Sequence, residues 1–195
     1  MDEQTIGAYN SEAESIAQLH SSLKPQRIYQ LIHQYFIKGG KTLDVGCGIG
    51  RDTHWLNQHG FPTLGVDASV EMLKFAQSFY PTADFLQDDL PDLEKIGLLR
   101  FQNILCSAVL MHLPETQIPI ACKRLLALLE TDGRLIISVR GTQAENQRER
   151  GKLYSMIEPE FLQRLFVECG AKVLWQETTE ETARLLFWHT WVICN

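Results

Sequence analysis

The 195-residue chain has no run of lysine and arginine. Its densest basic stretch, Q-R-E-R-G-K at 147–152, is interrupted by Glu149, and the net charge is −6. Nucleic-acid binders usually present a basic face, so the composition argues against that class. Cysteine is scarce and unpatterned. Five cysteines stand at 47, 106, 122, 169 and 194, an odd number without a C-x-x-C, which argues against a disulfide framework or a zinc site. No apolar run reaches membrane-spanning length. The start, M-D-E-Q-T-I-G-A-Y-N, lacks the basic and apolar regions of a secretion signal, so a cytoplasmic, reducing location is the default expectation. Internal repeats, low-complexity segments and linkers rich in Pro, Gly or Ser are also missing. The expectation is one domain over 1–195, with 1–38 as an N-terminal helical cap and 39–195 as a sheet core.

The chain does contain an alternation of elements. Residues 11–36 place apolar side chains at helical spacing, and Pro25 opens the second of two helices there. Gly39-Gly40 ends it. Thr42–Val45 reads as a short buried strand, Arg51–His59 as a helix and Thr63–Val66 as a second strand. Ser69 is an N-cap for the helix carrying Met72, Leu73 and Ala76. Strands follow at 84–87, 101–108 and 134–139, with a helix over 114–130 and another opening at Pro159. Lys172–Gln176 and Arg184–Cys194 face each other across the polar T-T-E-E-T segment, with no room for a crossover helix. The predicted fold is therefore α/β: a doubly wound, mostly parallel seven-stranded sheet with a C-terminal antiparallel strand and helices on both faces. Ligands of such sheets sit outside the carboxyl ends of the strands, where Gly46, Asp67, Asp89 and Ser107 fall.

The stretch L-D-V-G-C-G-I-G-R-D, residues 43–52, sets Gly46, Gly48 and Gly50 two apart. A dinucleotide fingerprint needs a third glycine where Arg51 stands, and a P-loop ending at Gly40-Lys41-Thr42 would need glycine at Tyr35. Asp44, two residues before the first glycine, would repel a pyrophosphate and suit a ligand with positive groups. S-adenosylmethionine carries an ammonium and a sulfonium against one carboxylate.

With these residues the sequence resembles the class I S-adenosylmethionine-dependent methyltransferases, in particular small bacterial methyltransferase-domain proteins with a C-G-x-G-R-D loop. The resemblance spans roughly residues 40–175. It implies a cofactor site made by Asp44, Gly46, Cys47 and Gly48. Asp67, in G-V-D-A-S-V-E-M-L, would accept both ribose hydroxyls, because only a carboxylate can accept two at once from a cis-diol. Ala68 belongs to the same site, and Met72 would lie under the adenine or serve as a core methionine. In F-L-Q-D-D-L, Asp89 would accept the adenine amino group, with Asp88 as the one-residue alternative, and the Leu90 amide would donate to the ring. Ser107 and Ala108, in N-I-L-C-S-A-V-L-M-H-L-P, would line the floor beside the methionine moiety. Arg51 is unusual after the glycines, and its guanidinium would clamp the ligand carboxylate. Cys47 reads as a small filler.

Two residues are candidates for catalysis. His112, just after the fourth strand, would take a proton or fix its loop. Tyr9, in A-Y-N-S-E-A, would cover the ligand. The other histidines, His20 among them, show no constellation. No N-P-P-[YF] follows the fourth strand and no cysteine follows a proline in the manner of cytosine-5 enzymes. The acceptor is expected to be a small molecule, not nucleic acid or membrane, held by residues 1–36 and the long 141–156 loop. Arg140, Arg148 and Arg150 are either anion-binding or solvated there. The alternative is a non-catalytic S-adenosylmethionine-binding regulatory or scaffolding protein. A nicotinamide oxidoreductase would need the dinucleotide loop that Arg51 breaks.

Overall fold

The computed structural model describes residues 1–141, 147–181 and 186–195. Three helices open the chain: α1 (Glu3–Ser11), α2 (Ala13–Ser22) and α3 (Gln26–Tyr35). Alternation follows through β1 (Thr42–Val45), α4 (Arg51–Gln58), β2 (Thr63–Asp67), α5 (Val70–Phe79), β3 (Asp84–Gln87), β4 (Phe101–Ser107), α6 (Ile118–Leu128) and β5 (Leu129–Arg140). The chain then forms β6 (Gln147–Glu149), β7 (Lys152–Tyr154), α7 (Pro159–Glu168), β8 (Lys172–Glu181) and β9 (Leu186–Cys194).

The main sheet has the order β3-β2-β1-β4-β5-β9-β8. β1 to β5 pair in parallel, and β9 runs antiparallel between β5 and β8. This is the predicted seven-stranded arrangement. Side chains alternate across it with period two. Leu105, Ile136 and Val192 pack under α3 and α4 with Ile28, Leu31, Ile32 and Leu56. Ile104, Cys106, Leu135, Ile137 and Trp191 point the other way, into the core shared with α6 and α7. Strand order reverses between β1 and β4. The crevice at their carboxyl ends is where a ligand of such a sheet binds.

Several boundaries differ from expectation, each for a physical reason. The region before Pro25 holds two helices instead of one. α1 buries only Thr5 fully, so it has no apolar stripe to read. The helix expected over 114–130 begins as a short 3-10 turn at Glu115–Gln117 and ends at Leu128. The polar T-T-E-E stretch continues as strand to Glu181 instead of turning, because pairing with β9 satisfies its backbone. Arg184 lies outside the described residues. The 141–156 segment, read as a loop, contains the β6–β7 ribbon, while 142–146 lie outside the described residues. That ribbon is tied to α1. Arg148 pairs with Asp2 at 2.8 Å, and the Leu153 amide donates to Thr5 Oγ1 at 2.9 Å. Lys152 pairs with Glu12, just after α1, at 2.5 Å.

Candidate functional site

The glycine loop is fixed by hydrogen bonds within the protein. The amides of Gly46 and Cys47 both donate to the Val66 carbonyl, at 2.8 and 2.9 Å. The Gly48 amide donates to Asp67 Oδ2 at 2.8 Å. Gly50 is left-handed (φ 76°), and a Cβ there would lie 2.5 Å from Phe85 Cζ. Only glycine lets the loop turn into α4 against that ring.

Asp67 ends β2. Its second oxygen, Oδ1, accepts from the Ser69 amide at 2.8 Å. Burial pushes its carboxyl up, while the amides of Ser69, Gly48 and Ala68 pull it back down. Each oxygen retains accepting capacity beyond its amide. Ser69 is the N-cap expected of it: its Oγ accepts from the Met72 amide at 3.1 Å and donates to Asn10 Oδ1 at 2.7 Å. Asp67 is therefore not needed to cap α5.

A cavity of about 650 Å³ opens over this loop. Its wall includes Gly46, Cys47, Gly48, Arg51, Asp67, Ala68, Met72, Asp88, Asp89, Leu90, Ser107, Ala108, His112 and Tyr9. Met72 is buried, packed with Ile16, Ala17 and Ile49, so it serves both the core and the wall. Asp88 is committed to backbone, accepting from the Asp89 and Ile96 amides at 3.0 Å each. Asp89 is half-exposed and holds the Met1 amino group at 2.8 Å, so of the two aspartates it is the one free to exchange its partner for a ligand. Ser107 Oγ meets Ser138 Oγ at 2.8 Å, and the Ala108 amide donates to the Ser138 carbonyl. Burial raises the Cys47 thiol, which suits a filler rather than a nucleophile.

Asp44 departs from expectation, and Arg51 has competing partners. Asp44 is not on the cavity wall. Its buried carboxylate accepts from Thr53 Oγ1 at 2.7 Å, and burial together with Asp52 pushes its pKa up. A group so disposed towards neutrality braces β1 against α4 and is not what repels a pyrophosphate. Arg51 reaches the cavity, but its guanidinium is already engaged. Nε and Nη2 bind Asp52 at 2.9 and 2.8 Å, and Nη1 donates to the His20 carbonyl at 3.3 Å. Tyr29 also donates to Asp52, at 2.7 Å.

The two catalytic candidates touch each other. Tyr9 hydroxyl lies 3.2 Å from His112 Nε2, and His112 Nδ1 lies 2.7 Å from the Leu153 carbonyl. A carbonyl only accepts, so Nδ1 carries the proton and Nε2 presents its lone pair to Tyr9. Tyr154 stands edge-on to the imidazole at 4.9 Å, with the Arg140 guanidinium 4.5 Å over its ring. Arg140 is paired with Glu149 and Arg148 with Asp2, while the exposed Arg150 reaches Glu12.

Burial lowers the His112 pKa from 6.5 to about 4. As pH falls, the unfolded chain therefore takes up this proton first. Stability is complete above the unfolded pKa and is lost towards about 4, by about 2–3 kcal/mol at pH 4.5. Denaturant titrations at pH 7 and 4.5 should show a smaller acid loss in His112→Gln. Equal losses would mean that the imidazole is not buried neutral.

Sequence reasoning missed His20, Tyr154 and Trp188, which also line the cavity. His20 carried no local motif, and the others reach the site only through strand pairing.

A family model described as "Methyltransferase domain" matches residues 15–178. The chain belongs to this methyltransferase-domain family, and its sheet order is that of the class I fold. It is similar to the ubiquinone biosynthesis O-methyltransferase of Coxiella burnetii, 29% identical over 144 residues, covering 72% of this chain and 58% of that one. Its fold matches the crystal structure of Burkholderia thailandensis 1,6-didemethyltoxoflavin-N1-methyltransferase with 1,6-didemethyltoxoflavin and S-adenosylhomocysteine bound. That match has TM-score 0.79 at 22% identity, over 99% of this chain and 88% of that one. It also matches magnesium protoporphyrin IX methyltransferase from Synechocystis PCC 6803 with bound S-adenosylmethionine (TM-score 0.66, 19% identity, 96% and 80% covered). The matched region spans about half the length of the curated relatives. No helix among the described residues is long and apolar enough to cross a membrane.

Proposed function

We propose that the chain is a single methyltransferase domain that binds S-adenosylmethionine and transfers its methyl group to a small-molecule acceptor by direct displacement. The observation that carries this reading is the Asp67 carboxylate, fixed by the Gly48 and Ser69 amides at the wall of the 650 Å³ cavity with accepting capacity to spare. A cis-diol fits that pair of oxygens. When bound, S-adenosylmethionine supplies an electrophilic methyl group on a sulfonium whose sulfur leaves as a thioether.

The chain's own residues do the rest. Asp89 and the Leu90 amide would receive the adenine edge, Met72 and Ala68 would lie beside it, and Ser107 and Ala108 would form the floor. α1 and α2 exclude water from the transfer, and the walls hold the acceptor in line with the methyl carbon. The acceptor's proton passes to the lone pair of His112 Nε2 once the Tyr9 hydroxyl, from which that nitrogen now accepts, yields its place or relays it. The 650 Å³ cavity and the net charge of −6 favour a small acceptor over nucleic acid. The Burkholderia neighbour, with its bound heterocycle and S-adenosylhomocysteine, supports the same reading.

Calorimetric titration with S-adenosylmethionine, S-adenosylhomocysteine and NADH tests it. Saturable binding of both adenosyl compounds and none of NADH is expected, with affinity nearly intact in His112→Ala. NADH binding alone would replace this reading with a dinucleotide one.

A further inference from the structure

With a cis-diol on Asp67 and the adenine beyond it, the ligand's amino-acid end must lie against the glycine loop, and its carboxylate needs donors there. The loop has few to give. The amides of Gly46, Cys47, Gly48 and Gly50 are all spent within the protein. Arg51 commits three of its five N–H groups, to Asp52 and to the His20 carbonyl. Elsewhere on the wall, Lys152 is held by Glu12 and Arg140 by Glu149.

Arg27 is paired with Glu177 and Lys24 is exposed. One partly buried imidazole is without a partner among the described residues. His20, in the last turn of α2, hangs over the loop: its Nδ1 lies 4.0 Å from where a Cβ on Gly48 would be. Neither ring nitrogen has a hydrogen-bond partner among the described residues, whereas the rings of His59, His112 and His189 each have one. Resting on the S-adenosylmethionine reading above, we propose that His20 binds the carboxylate of the ligand's amino-acid end, and that Arg51 is the positioning residue that holds His20 over the loop through its carbonyl.

The charges around the imidazole fit this role. Arg51 and Asp52 on α4 act on it, as does Lys152, which is paired with Glu12. Burial, then Arg51, keeps its pKa below 6.5 in the free protein. A carboxylate placed beside it raises that pKa, so binding takes up protons near pH 6.5.

The test is calorimetry with S-adenosylhomocysteine and with 5′-methylthioadenosine, which lacks the amino-acid end, in two buffers of different ionisation heat. His20→Phe should weaken S-adenosylhomocysteine about tenfold or more, leave methylthioadenosine unchanged and abolish proton uptake. His20→Gln, a neutral donor, should recover part of the affinity without the proton. Equal weakening of both ligands would make His20 a shape element and overturn the proposal. So would unchanged affinity and proton uptake in His20→Phe. If the unsubstituted protein bound neither compound, the donor reading itself would fall, and this proposal with it.

Discussion

Asp67→Ala should weaken S-adenosylhomocysteine binding by about 1.5–3 kcal/mol, the scale of hydrogen bonds to a charged group. The carboxylate accepts two amides at 2.8 Å and keeps one accepting site on each oxygen for the diol. Removing it strips the ligand of both hydroxyl contacts and also leaves the Gly48 and Ser69 amides without their acceptor. The second effect is a stability cost of about 1–3 kcal/mol, so folding must be checked by denaturation before affinity is compared. Methylthioadenosine retains the ribose, and its binding should fall by the same factor, in contrast to the selective loss expected at His20. Asp67→Asn keeps one oxygen acceptor and should fall between the alanine variant and the unsubstituted protein. An unchanged affinity in a folded Asp67→Ala protein would remove this residue from the ribose site.

Gly46→Ala should destabilise the fold by about 2–5 kcal/mol, combining left-handed strain with overpacking. The residue sits at φ 71°, and a Cβ there would lie 2.2 Å from Val109 Cγ2, closer than any real contact. Val109 has nowhere to retreat. It is buried in the core, between Ala108, itself left-handed at φ 61°, and the 3-10 turn Leu110–His112. The clash therefore presses the glycine loop against the segment that carries His112, and ligand affinity and turnover should fall with stability. Val109→Ala in the Gly46→Ala background removes the clashing methyl and should recover the packing share of the loss but not the backbone share. Chemical denaturation of the two single variants and the double variant measures the coupling. A Gly46→Ala protein within about 0.5 kcal/mol of the original would show that the two loops do not meet.

Much of this site is written locally. The apolar stretches bounded by turn residues place β1, β2 and β4, and the ends of those strands carry Gly46, Gly48, Asp67 and Ser107. Ser69 shows its capping role in its type and position. Asp88 and Asp89 are different. The sequence offers two adjacent carboxylates, and which one is free depends on an amide eight residues away, Ile96, that claims Asp88.

Arg51 and Asp44 mark the limit of local reading. Both lie in the most legible motif of the chain, yet the role expected of each is altered by a partner the motif does not contain. Asp52 and the His20 carbonyl engage the guanidinium, and burial together with Asp52 weakens the charge argument for Asp44. Tyr9 and His112 were each recognisable as candidates, but their contact joins residues 103 apart in sequence.

The sequence by itself determined the alternating elements, the parallel sheet with its reversed C-terminal strand, and the set of residues at the strand ends. Those features follow from periodicity and turn chemistry over a few residues. Only the tertiary structure decided that α1 and the β6–β7 ribbon lock together over the cavity, that Tyr9 meets His112, and that Asp52 engages Arg51 while the His20 ring hangs over the glycine loop. A hydrogen-bonding group is available to a ligand only when no nearer partner has claimed it, and that depends on which distant segments packing brings together.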